Sequence, residues 1–156
     1  MQNKNVLYIT LEMSEERIAE RIDANILNIP MKELPDISKK EYGKKIGRLK
    51  NKTKGKLIVK EYPTASAHVG HFRHVLQELN IKKDFQPDII FVDYLNICAS
   101  QRIRPGAGAN SYTLVKSIAE ELRGLAVEHD LPIVSATQTT RSGYGSTDIG
   151  LEDTSE

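Results

Sequence analysis

The stretch Ile89-Ile90-Phe91-Val92-Asp93 decides the fold class of this chain, because an uninterrupted apolar run is typical of a strand buried in a parallel sheet. In open α/β sheets, ligands bind beyond the carboxyl ends of such strands, where Asp93 lies. Two further apolar runs, 6–11 and 133–137, are followed directly by Glu12 and Gln138. If the three strands are parallel, we expect Glu12, Asp93 and Gln138 at one edge of the sheet.

Apolar residues at helical spacing lie between these strands, which predicts an α/β fold with a mostly parallel sheet flanked by helices. The predicted elements are strand 6–11, helix 15–28, a basic helix that begins after Ser38, strand 57–59, helix 66–80, strand 88–95, helix 111–128 and a final strand from Ile133. Pro30 and Pro35 predict a loop before the basic helix.

Three helices show apolar stripes that predict which side faces the core. The predicted core-facing residues are Ile18, Ile22 and Ile26 in the first helix; Val69, Phe72, Val75, Leu76 and Leu79 in helix 66–80; and Tyr112, Val115, Ala119, Leu122 and Ala126 in helix 111–128.

Length and composition indicate a single domain, since 156 residues with 39% hydrophobic content can bury one core. The formal net charge of +1 excludes attraction of the whole chain to nucleic acid, so such binding must come from a local patch. Cys98 is the one cysteine, which excludes an internal disulfide and favours a reducing compartment. No apolar stretch approaches the length of a membrane span, so we expect a cytoplasmic protein without membrane contact.

The segment from Lys32 to Lys60 is unevenly charged, because its lysines and arginines far outnumber its acidic residues. Two interpretations are open. The segment is either a solvated helix face, which is the common case for a charge run, or a contact surface for DNA or another partner.

A resemblance to a known family rests on three motifs. Leu11-Glu12-Met13-Ser14 after the first strand, Asp93-Tyr94-Leu95 after the third, and Gln138 with Arg141 resemble the RecA-like motor domain of hexameric DnaB-type replicative helicases. The segment 110–123 is similar to the replicative helicases of T4-like bacteriophages. The resemblance covers essentially the whole chain and implies that residues 1–156 form a partial RecA-like helicase ATPase domain that uses ATP and Mg²⁺.

The resemblance also implies a role for each strand-end residue. Glu12 would be the carboxylate that activates water for ATP hydrolysis. Asp93 would act on Mg²⁺, usually through water, and would thereby help to bind the nucleotide. Gln138 would couple the γ-phosphate of ATP to the loops that bind DNA. Taken singly, each residue could instead be an ordinary polar end of a strand or turn.

Two segments would be mobile loops that bind DNA. The loop 101–110 would supply Arg102 and Arg104, and the Gly-, Ser- and Thr-rich tail 139–156 would supply Arg141, Ser155 and Glu156. Contacts of this kind hold the sugar-phosphate backbone of single-stranded DNA without reading its sequence.

The sequence departs from the family pattern, because it contains no phosphate-binding loop of the form G-x-x-x-x-G-K-[ST]. The arginine finger and the closing strands of the family would also lie beyond Glu156. The resemblance then implies an internal fragment of a longer helicase, with a gap in the sheet where the strand before that loop would lie. We expect a neighbouring chain to fill this gap, the gap to stay open, or the sheet to rearrange. We expect the isolated chain to hydrolyse no ATP. The full-length protein would form a homo-hexamer on single-stranded DNA, with primase and a helicase loader as candidate partners.

Two other functions are compatible with the fold. One is a RecA-like recombinase or another ring ATPase, against which Leu11-Glu12-Met13-Ser14 and the segment 110–123 argue. The other is a non-catalytic α/β interaction module that has lost its phosphate-binding loop. The joint presence of Glu12, Asp93 and Gln138 argues against the second.

Overall fold

The computed structural model describes residues 3–104 and 110–138 and has a parallel sheet with helices on its faces. In chain order the elements are β1 (Val6–Thr10), α1 (Glu15–Leu27), a 3-10 helix (Met31–Asp36), α2 (Lys39–Lys50), β2 (Leu57–Glu61), α3 (Val69–Lys83), β3 (Ile89–Asp93), a short 3-10 helix (Leu95–Ile97), α4 (Ser111–His129) and β4 (Ile133–Ser135). The expected α/β class is confirmed. Where a loop was expected around Pro30 and Pro35, the chain forms a 3-10 helix.

The four described strands form one continuous sheet in the order β2-β1-β3-β4, and every neighbouring pair is parallel. No gap therefore separates the four described strands, so the expectation of an open gap is wrong for them. The physical reason is that β1 pairs directly with β3 over its whole length, from Val6 opposite Ile89 to Thr10 opposite Asp93. β3 in turn pairs directly with β4.

The main core lies between one face of the sheet and helices α3 and α4. Leu7, Ile9, Ile90 and Val92 point to this face and are all buried. The helices contribute Val69, Phe72, Val75, Leu76, Leu79, Ile118, Leu122 and Leu125. Every residue of the stripe predicted for α3 is buried, as expected.

The stripes predicted for α1 and α4 were wrong in part. Ile26 is 43% exposed and Tyr112 is 55% exposed, whereas Ala24 of α1 is buried. Residues four apart turn by about 40° per step around a helix with 3.6 residues per turn, so Ile26 rotates away from the face that holds Ile18. On α4, the buried face also contains Glu121, whose charge conceals the apolar pattern.

Side-chain hydrogen bonds cap the amino ends of three helices. Ser14 and Ser38 accept hydrogen bonds from the backbone N–H of Arg17 and Glu41, at the starts of α1 and α2. α3 begins at Val69, later than predicted, because His68 and His71 cap it together. Nδ1 of His68 accepts from the Gly70 N–H, and Nδ1 of His71 accepts from the His68 N–H.

Among residues 3–104 and 110–138, no helix combines the length and the apolar character that crossing a membrane requires. Burial of Cys98 raises the pKa of its thiol to about 12, so the sulfur stays protonated and is a poor nucleophile.

Candidate functional site at the carboxyl edge of the sheet

The structure brings Glu12, Asp93 and Gln138 to the same edge of the sheet. Asp93 is the last residue of β3 and lies opposite Thr10 of β1, so Glu12 follows two residues beyond it. On the other side, Ser135 of β4 lies opposite Val92, and Gln138 follows three residues later. Glu12 and Gln138 therefore leave the two strands that flank Asp93, as the sequence predicted.

A fixed turn carries Glu12 away from β1. The fully buried Thr10 hydroxyl donates to the carbonyl oxygen of Met13 at 2.8 Å and accepts from the Met13 N–H at 3.1 Å. The Thr64 hydroxyl donates to the carbonyl oxygen of Leu11 at 2.7 Å. These bonds hold the turn on both sides of Glu12, while the Glu12 side chain is exposed and can reach a ligand beyond the sheet.

Asp93 is oriented by Tyr8, a residue that the sequence reasoning did not single out. The Tyr8 hydroxyl donates to Oδ2 of Asp93 at 2.8 Å. Burial, together with this hydrogen bond and the negative charge of Asp93, raises the pKa of Tyr8 to about 12. Tyr8 lies opposite Phe91, and Asp93 follows Phe91 by two residues. Because side chains alternate between the faces of a strand, Tyr8 and Asp93 point to the same face of the sheet. Only the register between β1 and β3 reveals this pairing.

Asn96 ties the exit of β4 to the segment after β3. Its side-chain oxygen accepts from the Thr137 hydroxyl at 2.8 Å and from the Gln138 N–H at 3.4 Å. The backbone adds a bond from the Leu95 N–H to the carbonyl oxygen of Ala136. The Gln138 backbone is thus tied to the segment that follows Asp93, and the Gln138 side chain is exposed. The sequence offered no signal for Asn96.

The chemistry of this edge fits one kind of magnesium site. Within residues 3–104 and 110–138, no group of three or more His, Cys, Asp or Glu side chains could enclose a metal ion. Mg²⁺ commonly binds through one or two carboxylates, several waters and the phosphates of a nucleotide. Asp93 fits that arrangement, and this part of the chain does not fit an all-protein metal cage.

The loop that follows β3 is anchored by the buried carboxylate of Glu121, which is 6% exposed. The carboxylate accepts from the Ser100 and Ser117 hydroxyls and from the backbone N–H groups of Gln101 and Arg102, at 2.6 to 3.3 Å. Burial raises the pKa of Glu121, but these hydrogen bonds outweigh it and hold the pKa below its usual value. Sequence reasoning missed this anchor.

The anchored loop presents its two candidate arginines at the surface. Arg102 forms an exposed ion pair with Glu120 at 3.0 Å, and Arg104 is also exposed. Residues 105–109 lie outside the described residues. The other candidate DNA contacts, Arg141, Ser155 and Glu156, lie outside them too.

A comparison with protein families identifies the family to which this chain belongs. The model of the DnaB-like helicase C-terminal domain matches residues 1–148 of the chain. The chain belongs to this DnaB-like family. Family membership confirms the resemblance that the motifs around Glu12, Asp93 and Gln138 indicated.

Two relatives place the DnaB-like chain among proteins named as replicative helicases. It is 49% identical over 155 residues to the DnaB-like replicative helicase of Enterobacteria phage T4, which covers 97% of this chain and 32% of the relative. It is 30% identical over 144 residues to a probable plasmid replicative DNA helicase of Chlamydia trachomatis serovar L2, covering 90% of this chain and 30% of the relative. The DnaB-like chain therefore spans about a third of the length of these relatives.

Solved structures confirm the RecA-like fold class of the DnaB-like chain. A DnaB-like replicative helicase, described with its interactions with primase, superposes with a TM-score of 0.67 at 19% identity and covers 96% of this chain and 36% of its own. A second solved structure, of an ATPase domain, superposes with a TM-score of 0.68 at 18% identity and covers 96% of this chain and 53% of its own.

Proposed function

We propose that the chain is a motor segment of an ATP-dependent replicative DNA helicase, which in full-length form hydrolyses ATP and moves along single-stranded DNA to unwind duplex DNA. The observation that carries the proposal is the convergence of Glu12, Asp93 and Gln138 beyond three adjacent parallel strands. The names of the relatives support it.

In this proposal each strand-end residue has a distinct task. Glu12, exposed on a fixed turn, accepts a proton from the water that attacks the γ-phosphate of ATP. Asp93, held by the Tyr8 hydroxyl, would help to hold a magnesium ion, which when bound would supply positive charge to the phosphate oxygens. Gln138, whose backbone is tied to Asn96, senses whether the γ-phosphate is present.

The loops beyond the same edge would contact single-stranded DNA. Arg102 and Arg104 are the candidate phosphate contacts in the loop that Glu121 anchors. Arg141, Ser155 and Glu156 are the candidates in the segment that follows Gln138. A loop held at its base and charged at its surface suits a motor that must bind any sequence, because it contacts the backbone and not the bases.

Further parts of the proposal concern the assembly. The full-length protein would form a homo-hexamer and act with primase and a helicase loader in the cytoplasm of a host cell. The phage relative and the primase described with one structural neighbour support this part. Since the sequence has no G-x-x-x-x-G-K-[ST] loop to hold the β- and γ-phosphates, we expect the isolated chain to hydrolyse no ATP.

A chimera tests the proposed function. In the phage T4 relative, the segment that aligns with this chain is replaced by the chain itself, and ATP hydrolysis is measured with and without single-stranded DNA. We expect hydrolysis that DNA stimulates. Glu12→Ala should lower kcat by at least about a hundredfold, because a general base typically contributes that much. Asp93→Asn should raise the magnesium concentration that gives half of the maximal rate.

Matched substitutions exclude a general effect of charge loss. Glu33 and Asp84 are exposed carboxylates away from the carboxyl edge, so Glu33→Ala and Asp84→Asn should leave hydrolysis unchanged. Hydrolysis that is indifferent to Glu12 would assign the base to another residue. A folded hexameric chimera without hydrolysis would favour a non-catalytic module.

A further inference from the structure

The surface formed by α2 and the segment after it is rich in Lys and Arg and has few acidic residues nearby. The chain has 22 Lys and Arg and 21 Asp and Glu. Residues 39–56 contain nine of the basic residues and one of the acidic residues. The rest of the chain contains thirteen basic and twenty acidic residues. The chain as a whole is nearly neutral, so this segment is a local basic pole on an otherwise acidic molecule.

The cations of α2 are ordered along its exposed side. Lys40, Lys44 and Arg48 are spaced four residues apart and are all exposed, so they form one stripe along the helix. Tyr42, Ile46 and Leu49 lie on the other side and are half-buried. The apolar side of α2 is therefore used in packing, and the cationic stripe faces solvent.

The orientation of this stripe is fixed by contacts at both ends of the segment. The Tyr42 hydroxyl donates to Oδ2 of Asp23 at 2.6 Å, which ties α2 to α1. Beyond the helix, the Lys54 and Lys56 N–H groups donate to the side-chain oxygens of Asn3 and Asn5. The extension from Lys52 to Lys56 is thus held against the rest of the chain, beside the start of β2.

Few of these cations are neutralised within the protein. Across residues 3–104 and 110–138, the ion pair between Lys45 and Glu41 at 3.5 Å is the one salt bridge that any residue of segment 39–56 makes. Gly43 and Gly47 lie beside the stripe, and nothing lies within 4 Å of where a side chain would begin at either position. A ligand can therefore approach the helix backbone closely at these two glycines, beside the cations.

We propose that α2 and residues 52–56 bind the sugar-phosphate backbone of duplex DNA. This contact is separate from the loops at the carboxyl edge, because residues 52–56 precede the amino end of β2. The stripe from Lys40 to Arg48 is about 12 Å long, at about 1.5 Å per helical residue. Duplex DNA carries about seven phosphate charges over that length, at one per about 1.7 Å.

Duplex DNA fits this surface better than other polyanions. Sites for single strands usually add aromatic platforms on which bases stack. The aromatic residue of this segment, Tyr42, is half-buried and bonded to Asp23. Helices that bind anionic membranes insert an apolar side, and the apolar side of α2 faces the protein.

The test measures binding of a labelled duplex to the full 156-residue chain by fluorescence anisotropy at about 50 and 200 mM salt. The variant carries Lys40→Gln, Lys44→Gln and Arg48→Gln. The control loses the same charge elsewhere, through Lys82→Gln, Lys83→Gln and Arg123→Gln. We expect at least about a tenfold loss of affinity for the first variant and a salt dependence that is shallower by about two to three units, one per contact removed.

Further arms make each outcome decisive. Lys40→Arg with Lys44→Arg should retain binding, because the charge is kept. An equal loss in the control variant would overturn the proposal, as would the absence of duplex binding by the unmodified chain. A larger effect of the three substitutions on binding to a single strand of equal length, or to vesicles of anionic lipid, than on binding to the duplex would also overturn it. The assay uses no ATP, so its failure would leave the proposed roles of Glu12 and Asp93 unaffected.

Discussion

The side of the molecule formed by α3 and α4 and the side formed by α1 and α2 use their residues differently. α3 and α4 together bury Val69, Phe72, Val75, Leu76, Leu79, Ile118, Leu122 and Leu125 against the sheet. α1 buries Ile18 and Ala24, and α2 buries no residue. One side therefore supplies most of the apolar burial that holds the fold, and the other side presents charge.

The largest expected effect tests that difference directly. Phe72 of α3 is 1% exposed, so Phe72→Ala should lower the free energy of unfolding by about 3 to 5 kcal/mol through lost burial and a residual cavity. Ile46 of α2 is half-buried, and Ile46→Ala should cost about 1 kcal/mol. Urea unfolding of both variants measures the contrast, and equal losses would refute it.

A second prediction concerns the buried charge on the α3 and α4 side. Glu121→Ala should cost about 3 kcal/mol, because it leaves the hydroxyls of Ser100 and Ser117 and two backbone N–H groups without their acceptor. The folded pKa of Glu121 is lowered, so its contribution to stability is present above the unfolded pKa and is lost as pH falls through the folded pKa.

Unfolding measured across the acid range checks this sign. Stability of the unmodified chain should fall below about pH 4.5, near the ordinary pKa of glutamate. Glu121→Gln keeps the shape and removes the titration, so its stability should depend less on pH in that range. The same acid slope in both proteins would remove Glu121 from the explanation.

Glycines on the α1 and α2 side sharpen the comparison, because two of them have opposite surroundings. At Gly55 an added Cβ would collide with the backbone of Lys4, so Gly55→Ala should cost about 1 to 3 kcal/mol. At Gly43 nothing lies in the way, and Gly43→Ala should stabilise α2 by about 1 kcal/mol. Thermal unfolding of the two variants should shift the midpoint in opposite directions.

The smallest expected effect concerns Tyr8 of β1, which lies in the sheet between the two sides and donates a hydrogen bond to Asp93 at the carboxyl edge. Tyr8→Phe removes the hydrogen bond to Asp93 and should cost about 1 kcal/mol near neutral pH. The folded pKa of Tyr8 is raised to about 12, so its stabilisation is complete below the unfolded pKa and is lost as pH rises toward 12. The difference in free energy of unfolding between the unmodified chain and Tyr8→Phe should shrink as the pH rises in the alkaline range. A difference that stays constant with pH would contradict the raised pKa of Tyr8.

The sequence predicted the structure best where the local sequence pattern was strong. The stripe of α3 and the start of α2 after Ser38 were predicted, because helical period and helix starts depend on neighbouring residues. The stripe of α4 was misplaced, because Glu121 lies in the buried face and looks like a surface residue in the sequence. Its burial makes sense only beside Ser100 and the loop after β3, which are distant in the chain.

The sequence by itself determined the α/β class, the family and the residues that follow each strand, because apolar runs and the motifs around Glu12, Asp93 and Gln138 are local features. Tertiary structure decided the strand order and the register. The register alone sets Tyr8 beside Asp93 and Asn96 beside Gln138. The physical reason is that parallel strands are joined by long crossovers, so their alignment depends on packing across the whole sheet and not on any one segment.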